Sequence, residues 1–279
     1  MDSPPSVFDR PIPLGVGRKG WVILTGCLIF GLLLVYLDYA VNYSYGTNLN
    51  PIRRLFNITR EDSLASWFGT TLMFMVALTF WFIRSLNRHS GRFVRFAWLL
   101  LAIFFTYLAI DDGAEIHERM GSAFEDTQER ARSTGTPMSW AGRWHAKFPS
   151  YEWQLLFMPA FAALGLFAAI FLWTRFNGIC RFMMLASFGL MAVAVGLDFI
   201  EGLEPKHPWN VYTWINNKYD LDPYTVPRFR EVGYEALRHF SKAIEEFLEM
   251  MAAALLWVAL LKHADAKFET SAIPRNPGV

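Results

Sequence analysis

Acidic side chains recur at a similar depth along the apolar runs of this 279-residue sequence. They are Asp38, the Asp111–Asp112 pair, Glu152, the Asp198 and Glu201 pair, and the Glu245, Glu246 and Glu249 group. A carboxylate carried into hydrocarbon is costly, and such groups mark an ion path, a proton relay or a bound cation. A single one could be an accident of a helix end. A layer of them is a candidate site.

The elements that must hold this layer are membrane helices. The hydrophobic fraction is 53%, gathered into long runs with few charges, which reads as an all-α, polytopic membrane bundle. Six transmembrane helices are expected, at about 21–41, 64–83, 93–110, 152–173, 181–203 and 239–261, in a single membrane domain. Each is long enough for a core about 30 Å thick. A net charge of +1 says nothing about nucleic acid and no basic stripe suggests it, so no nucleic-acid partner is expected. Cys27 and Cys180 fall inside or beside the runs, so no disulfide framework is expected. The first run is too long for a signal-peptide core and is retained as a helix.

Arg84, Arg88, Arg92 and Arg95 surround one short connection, and Arg175 and Arg181 flank another. Arg18 and Lys19 precede the first run, and Lys262 and Lys267 follow the last. The positive-inside rule therefore puts both termini in the cytoplasm. The longer loops, 43–63, 119–151 and 204–238, then lie outside, on the periplasmic side in a Gram-negative host. Counting from the basic residue at each cytoplasmic end at about 1.5 Å per residue, Asp38 and Asp111 lie roughly 28 Å up and Asp198 roughly 26 Å. Glu246 lies roughly 24 Å up and Glu249 roughly 20 Å. Glu152 is higher, at roughly 34 Å, and as a first-turn acid behind an N-cap at Ser150 it reads as ordinary dipole complementation. Asp38 fits an interface marker, and His145 and His207 fit surface positions in Trp-rich loops.

Three helices thus carry the candidate site. If the third helix continues past Asp111, then Asp111, Glu115 and Glu118 share one stripe, with His117 on another face. Like charges at that spacing repel, and carboxylates at a helix C-terminus oppose its dipole, so a positive partner is needed. The fifth helix adds Asp198 and Glu201 at i, i+3. The sixth adds the stripe His239, Lys242, Glu246 and Glu249, where Lys242 could neutralise a neighbouring acid. The set Asp111, Glu115, His117, Glu118, Asp198, Glu201, His239, Glu246 and Glu249 is rich in oxygen, which suits a hard or borderline divalent metal, with iron, manganese or zinc as candidates. It is similar in kind to carboxylate-bridged two-metal sites in helical bundles, without their Glu-x-x-His spacing. Such a site could activate water or handle dioxygen.

The run Leu-Ala-Ile-Asp-Asp-Gly-Ala-Glu-Ile-His-Glu-Arg-Met at 108–120 resembles the Asp-[Asp/Glu]-x4-His-Glu segment of a group of bacterial multi-pass membrane proteins. Glu245-Glu-Phe-Leu-Glu-Met resembles that group's C-terminal Glu-Glu-x-x-Glu-Met run. The resemblance implies a bacterial inner-membrane protein and brings no activity with it. Alkaline ceramidases also place a metal in a bundle, but their paired His-x-x-x-His is missing here. The reading is a metal-dependent membrane oxidoreductase or hydrolase acting on a lipidic or periplasmic small molecule. Two alternatives stay open: a non-catalytic subunit docking partner subunits in a larger membrane complex, and a proton or cation transporter. The apolar inner halves of the helices disfavour the second of these.

Overall fold

The computed structural model describes residues 15–135, 140–145 and 147–272, which form helices and loops without a strand. The helices are α1 (Val16–Leu37), α2 (Asn50–Phe56), α3 (Leu64–Leu86), α4 (Arg92–Ala114), α5 (Ile116–Ser133) and α6 (Trp140–His145). They continue as α7 (Glu152–Arg175), α8 (Ile179–Glu201), α9 (Val211–Tyr219), α10 (Asp222–Phe229) and α11 (Gly233–Ala272). Five stretches are long and apolar enough to cross a membrane: Val16–Tyr43, Leu64–Leu86, Arg92–Ala114, Glu152–Arg175 and Ile179–Glu201. The expected sixth run, 239–261, is helical throughout but belongs to the 40-residue α11, which is not among those five. Large apolar side chains point outward from the five: Val22, Ile29, Trp67, Phe96, Leu166 and Phe182 are each at least 59% exposed. Water would not tolerate so much apolar surface on one face after another; lipid does.

Helix α11 is the axis, packed against α8, α3 and α1. Its Ala252, Ala254 and Ala259 are fully or almost fully buried, and small side chains let helix backbones close up in lipid. Ser187 on α8 uses that proximity to donate to the Ala252 carbonyl at 2.7 Å. On the far side, Phe80 stacks on Phe105 with centroids 4.5 Å apart, and Trp98 meets Phe171 edge-on at 5.1 Å, joining α3, α4 and α7. Cys27 and Cys180 are free and buried.

Helix α1 docks on α11 through a stripe of Val16, Gly20, Cys27, Gly31 and Leu34. The glycines are there for closeness: a Cβ on Gly20 would lie 3.1 Å from Lys262 Cε, and one on Gly31 would lie 3.1 Å from Phe247. The start of α1 is held by Asp265 of α11, whose carboxylate accepts from the Gly15 and Val16 amides at 3.0 and 2.7 Å. Those amides have no partner within α1, so an acid from another helix serves as the cap.

At its other end α1 widens into a π-helical turn, Asp38–Tyr43. Asp38 is 1% exposed, so it is not a solvated helix end. It accepts from Asn42 Nδ2 at 2.9 Å, the Ile58 amide at 3.3 Å and His239 Nε2 at 2.8 Å. The expected N-cap at Ser150 is also replaced. Tyr151 holds the N-cap position of α7, and Ser150 Oγ donates to the Phe199 carbonyl at 2.8 Å.

Candidate functional site: an acid-lined cavity

The expected continuation of α4 past Asp111 ends at Ala114. Glu115 is left-handed (φ 52°), and α5 restarts at Ile116. The cause is Asp111, which is 3% exposed. One oxygen accepts from the His117 amide at 2.8 Å, and the other pairs with His117 Nδ1 at 2.7 Å. A carboxylate that satisfies a first-turn amide and sits at the positive end of α5 favours a new helix over an extension of the old one. Asp111, Glu115 and Glu118 therefore do not form one helical stripe. His117 instead comes to lie against Trp153, ring centroids 4.6 Å apart, with Nδ1 committed to Asp111. Nε2 is the nitrogen left for other chemistry.

This bend opens onto a cavity of about 520 Å³ between α3, α4, α5, α7, α8 and α11. Its polar end is lined by Asp111, Glu115, His117 and Glu118 from the α4–α5 bend, Asp198 from α8, and Glu246 and Glu249 from α11. Seven of the nine residues singled out from sequence are thus brought to one wall. Glu201 is not on it: it accepts from Tyr151 OH at 3.3 Å and pairs with Arg238 at 3.2 Å. His239 also stands apart, bonded to Asp38 and stacked on Tyr43 at 4.2 Å.

The cavity also holds acids outside that set of nine: Asp112 and Glu245 from the acidic layer, and Glu61, which sequence reasoning missed, with Lys242 among them. Asp112 accepts from Thr70 Oγ1 at 2.6 Å, and Asp198 accepts from Gln154 Nε2 at 2.7 Å. Glu245 is 5% exposed, and its Oε2 has no hydrogen-bond partner. Lys242 lies 4.0 Å from Glu201 and is drawn electrostatically by Glu246, Glu245 and Glu118. Glu249 interacts electrostatically with Asp112, Asp198, Lys242 and His117, which makes it the hub between α4, α8 and α11. A smaller cavity of about 170 Å³ adjoins this one, sharing Glu118, Trp153, Asp198 and Lys242 and reaching Glu152. Among the described residues, no three His, Cys, Asp or Glu side chains gather closely enough to hold a metal ion. The acids ring a space; they do not close on a point.

Two groups outside the spans report the local field. Burial works to lower the His117 pKa, but the hydrogen bond and charge of Asp111, with Glu118 and Asp198 behind it, outweigh burial and leave it raised. At the cavity mouth, lost hydration and the charge of Glu118 push the Glu61 carboxyl up to about 7, against the pull of Lys242. Of the two outer-loop histidines, His207 accepts from the Trp209 amide at 3.3 Å, and the His145 side chain lies outside the described residues.

Five membrane-length helices and a carboxylate-walled cavity define a multi-span, all-helical class of protein. The chain belongs to the family DUF8692, a domain of unknown function, which it matches over residues 22–264. No curated protein and no solved structure matches it.

Proposed function

We propose that this chain is a six-span enzyme of a bacterial cytoplasmic membrane whose outward cavity holds a positively charged group beside a proton-carrying histidine. One observation carries the reading. Among the described residues, nine carboxylates line one cavity with a single ammonium and a single imidazole. Two like charges a few Å apart repel by about 4 kcal/mol at an intermediate effective dielectric, so this wall takes up protons or a cation. The Asp111–His117 pair supplies the chemistry. A buried carboxylate fixes the ring and its tautomer, and Nε2 faces the bound group as general base or acid.

The sixth span is α11. Asp265 joins its inner end to the start of α1, Gly20 packs on Val258, and Gly31 packs on Phe247, so α11 runs antiparallel to α1 through the same thickness. Arg84, Arg92, Arg175 and Arg181 cluster at the ends of α3, α4, α7 and α8 away from the cavity, which supports a cytoplasmic assignment for that side.

A divalent metal is the second source of positive charge. Oxygen donors suit manganese, iron or magnesium, but with no three donors gathered, such an ion would rely on the bound molecule as a further ligand. The scaffold reading, in which a partner subunit docks on the outer loops, is favoured by the Tyr151–Glu201–Arg238–Lys242 network, which needs no ligand.

The test is binding by the nanodisc-embedded protein. Tetramethylammonium and Mn²⁺ are titrated separately against wild type, Asp111→Asn and Glu249→Gln. Saturable binding of either cation, weakened in Glu249→Gln, supports the reading. Failure of both in wild type overturns it and leaves the scaffold.

A further inference from the structure

Below the carboxylates the cavity changes character. From Asp111 down to Phe104 on α4, and from Glu249 to Leu256 on α11, its wall is apolar over roughly 10 Å; from Asp198 to Phe188 on α8 it is apolar over roughly 15 Å, with Ser187 just beyond. That depth is about half of a hydrocarbon core roughly 30 Å thick, the thickness of one leaflet. The slot reaches the lipid-facing surface between α7 and α8: Leu166 and Ala192 line it and are also exposed. Here the bundle is thinly filled. Gly165 on α7 has no atom within 4 Å of where a Cβ would stand, and α7, bearing Pro159, meets α4 only sparsely.

We infer that the cavity takes a single-tailed amphiphile with an ammonium head from the outer leaflet, the tail lying in the apolar slot and the head among Asp198, Glu245 and Glu249. The inference rests on the proposed cation-holding site and names its substrate class. Three observations meet in it. The first is charge complementarity, since an anionic head would face nine acids and a single lysine. The second is the unpartnered Oε2 of Glu245, a buried acceptor lining the cavity with no donor of its own. The third is continuity: the polar end and the one-leaflet apolar end are one space, open sideways where a tail would slide in from lipid. A bare metal ion or a small polar solute explains the first two and leaves the apolar half without a use. In a bilayer the tail gains little by leaving lipid for the slot, so selectivity comes from the head and the slot supplies only room.

The experiment measures the motionally restricted electron-spin-resonance component of chain-labelled dodecyl trimethylammonium in nanodiscs holding the full chain. Dodecyl phosphate carrying the same label is the control head, and unlabelled tetramethylammonium is the competitor. Two variants fill the slot without touching the acids, Gly165→Leu and Ala192→Phe; thermal unfolding confirms that each is folded.

The expected result is at least about tenfold more restricted ammonium probe than phosphate probe, as one favourable ion pair provides, falling about tenfold in either slot variant. Tetramethylammonium should displace the probe from wild type, and it should still bind both slot variants. If tetramethylammonium binds but no dodecyl probe is restricted, the tail inference falls while the cation reading stands. If both heads are restricted equally, the slot holds a tail but the ammonium assignment falls. If nothing binds, both fall together.

Discussion

The Asp111–His117 pair allows a quantitative test. In Asp111→Asn the amide oxygen can still accept from the His117 backbone, so the start of α5 is kept while the charge is lost. The carboxylate now lies 2.7 Å from Nδ1; a hydrogen bond between charged groups contributes about 1.5–3 kcal/mol, and an opposite charge that close holds the histidine pKa up. Without it only burial remains among the strong effects, and burial lowers this histidine. His117 should therefore move from above its ordinary 6.5 to below it. The sign for stability follows. In wild type the folded-state pKa is raised, so the stabilisation is fully present below about pH 6.5 and fades as pH rises through the folded value. The unfolding gap between wild type and Asp111→Asn should then be widest near pH 5.5 and shrink by pH 8.5. Nitrogen-15 histidine spectra in nanodiscs, followed against pH, read the pKa and the tautomer, and thermal unfolding reads the gap. A His117 that still titrates above 6.5 in the variant, or a gap that widens with pH, would refute the reasoning.

Glu61 should behave as a pH-dependent liability: its carboxyl, raised to about 7, costs the fold stability as pH climbs from 4.5 through 7. Glu61→Gln should therefore raise the melting temperature at pH 8 and leave it unchanged at pH 4, as differential scanning fluorimetry would report. His239→Ala removes one partner of a carboxylate that is 1% exposed and should cost about 3–5 kcal/mol in a denaturant titration, leaving tetramethylammonium binding intact once the variant is folded. Gly121→Val would push a Cβ to within 2.9 Å of the Trp153 backbone nitrogen; expect a loss of about 1–3 kcal/mol and a shifted indole emission, read by thermal unfolding and fluorescence. For topology, Ser90→Cys should react with an impermeant maleimide only from the cytoplasmic side and Lys218→Cys only from outside; the reverse pattern would invert the orientation.

What was legible from sequence follows from how far each signal travels along the chain. Apolar runs are local, so the five membrane-length helices emerged with boundaries within a few residues of those observed, whereas the sixth run is part of the longer α11 and the helices inside the loops left no such signal. Helical spacing brought the wall through only in part: Glu246 and Glu249 on α11 both reach it, whereas on α8 Asp198 does and Glu201 does not. Glu61 escaped notice because it stands in a loop, where no periodicity marks which way a side chain turns. Glu245 and Glu246 both reach the cavity because the space is wide, whereas a narrow metal site would have admitted one stripe. His239 was misassigned because its partner, Asp38, lies 201 residues away, and nothing local distinguishes a histidine facing a cavity from one facing a carboxylate. The α4–α5 break depended on Asp111 reaching forward six residues to cap the next helix. The Asp-Asp-Gly-Ala run was the one available hint, and it reads equally well as helix.

The docking of α1 on α11 has a consequence for biogenesis. The glycine stripe of the first described helix finds its match in the last, and so do its amide cap and its buried aspartate. Until α11 has been made, α1 waits in lipid with its notches unfilled and its N-terminus uncapped. A chain stopped short of α11 would lose one wall of the cavity and strand its opening helix as well. Quality-control proteases that survey unfinished membrane proteins would meet that stranded helix first, which makes the synthesis of α11 the step at which the α1 end of this bundle becomes durable.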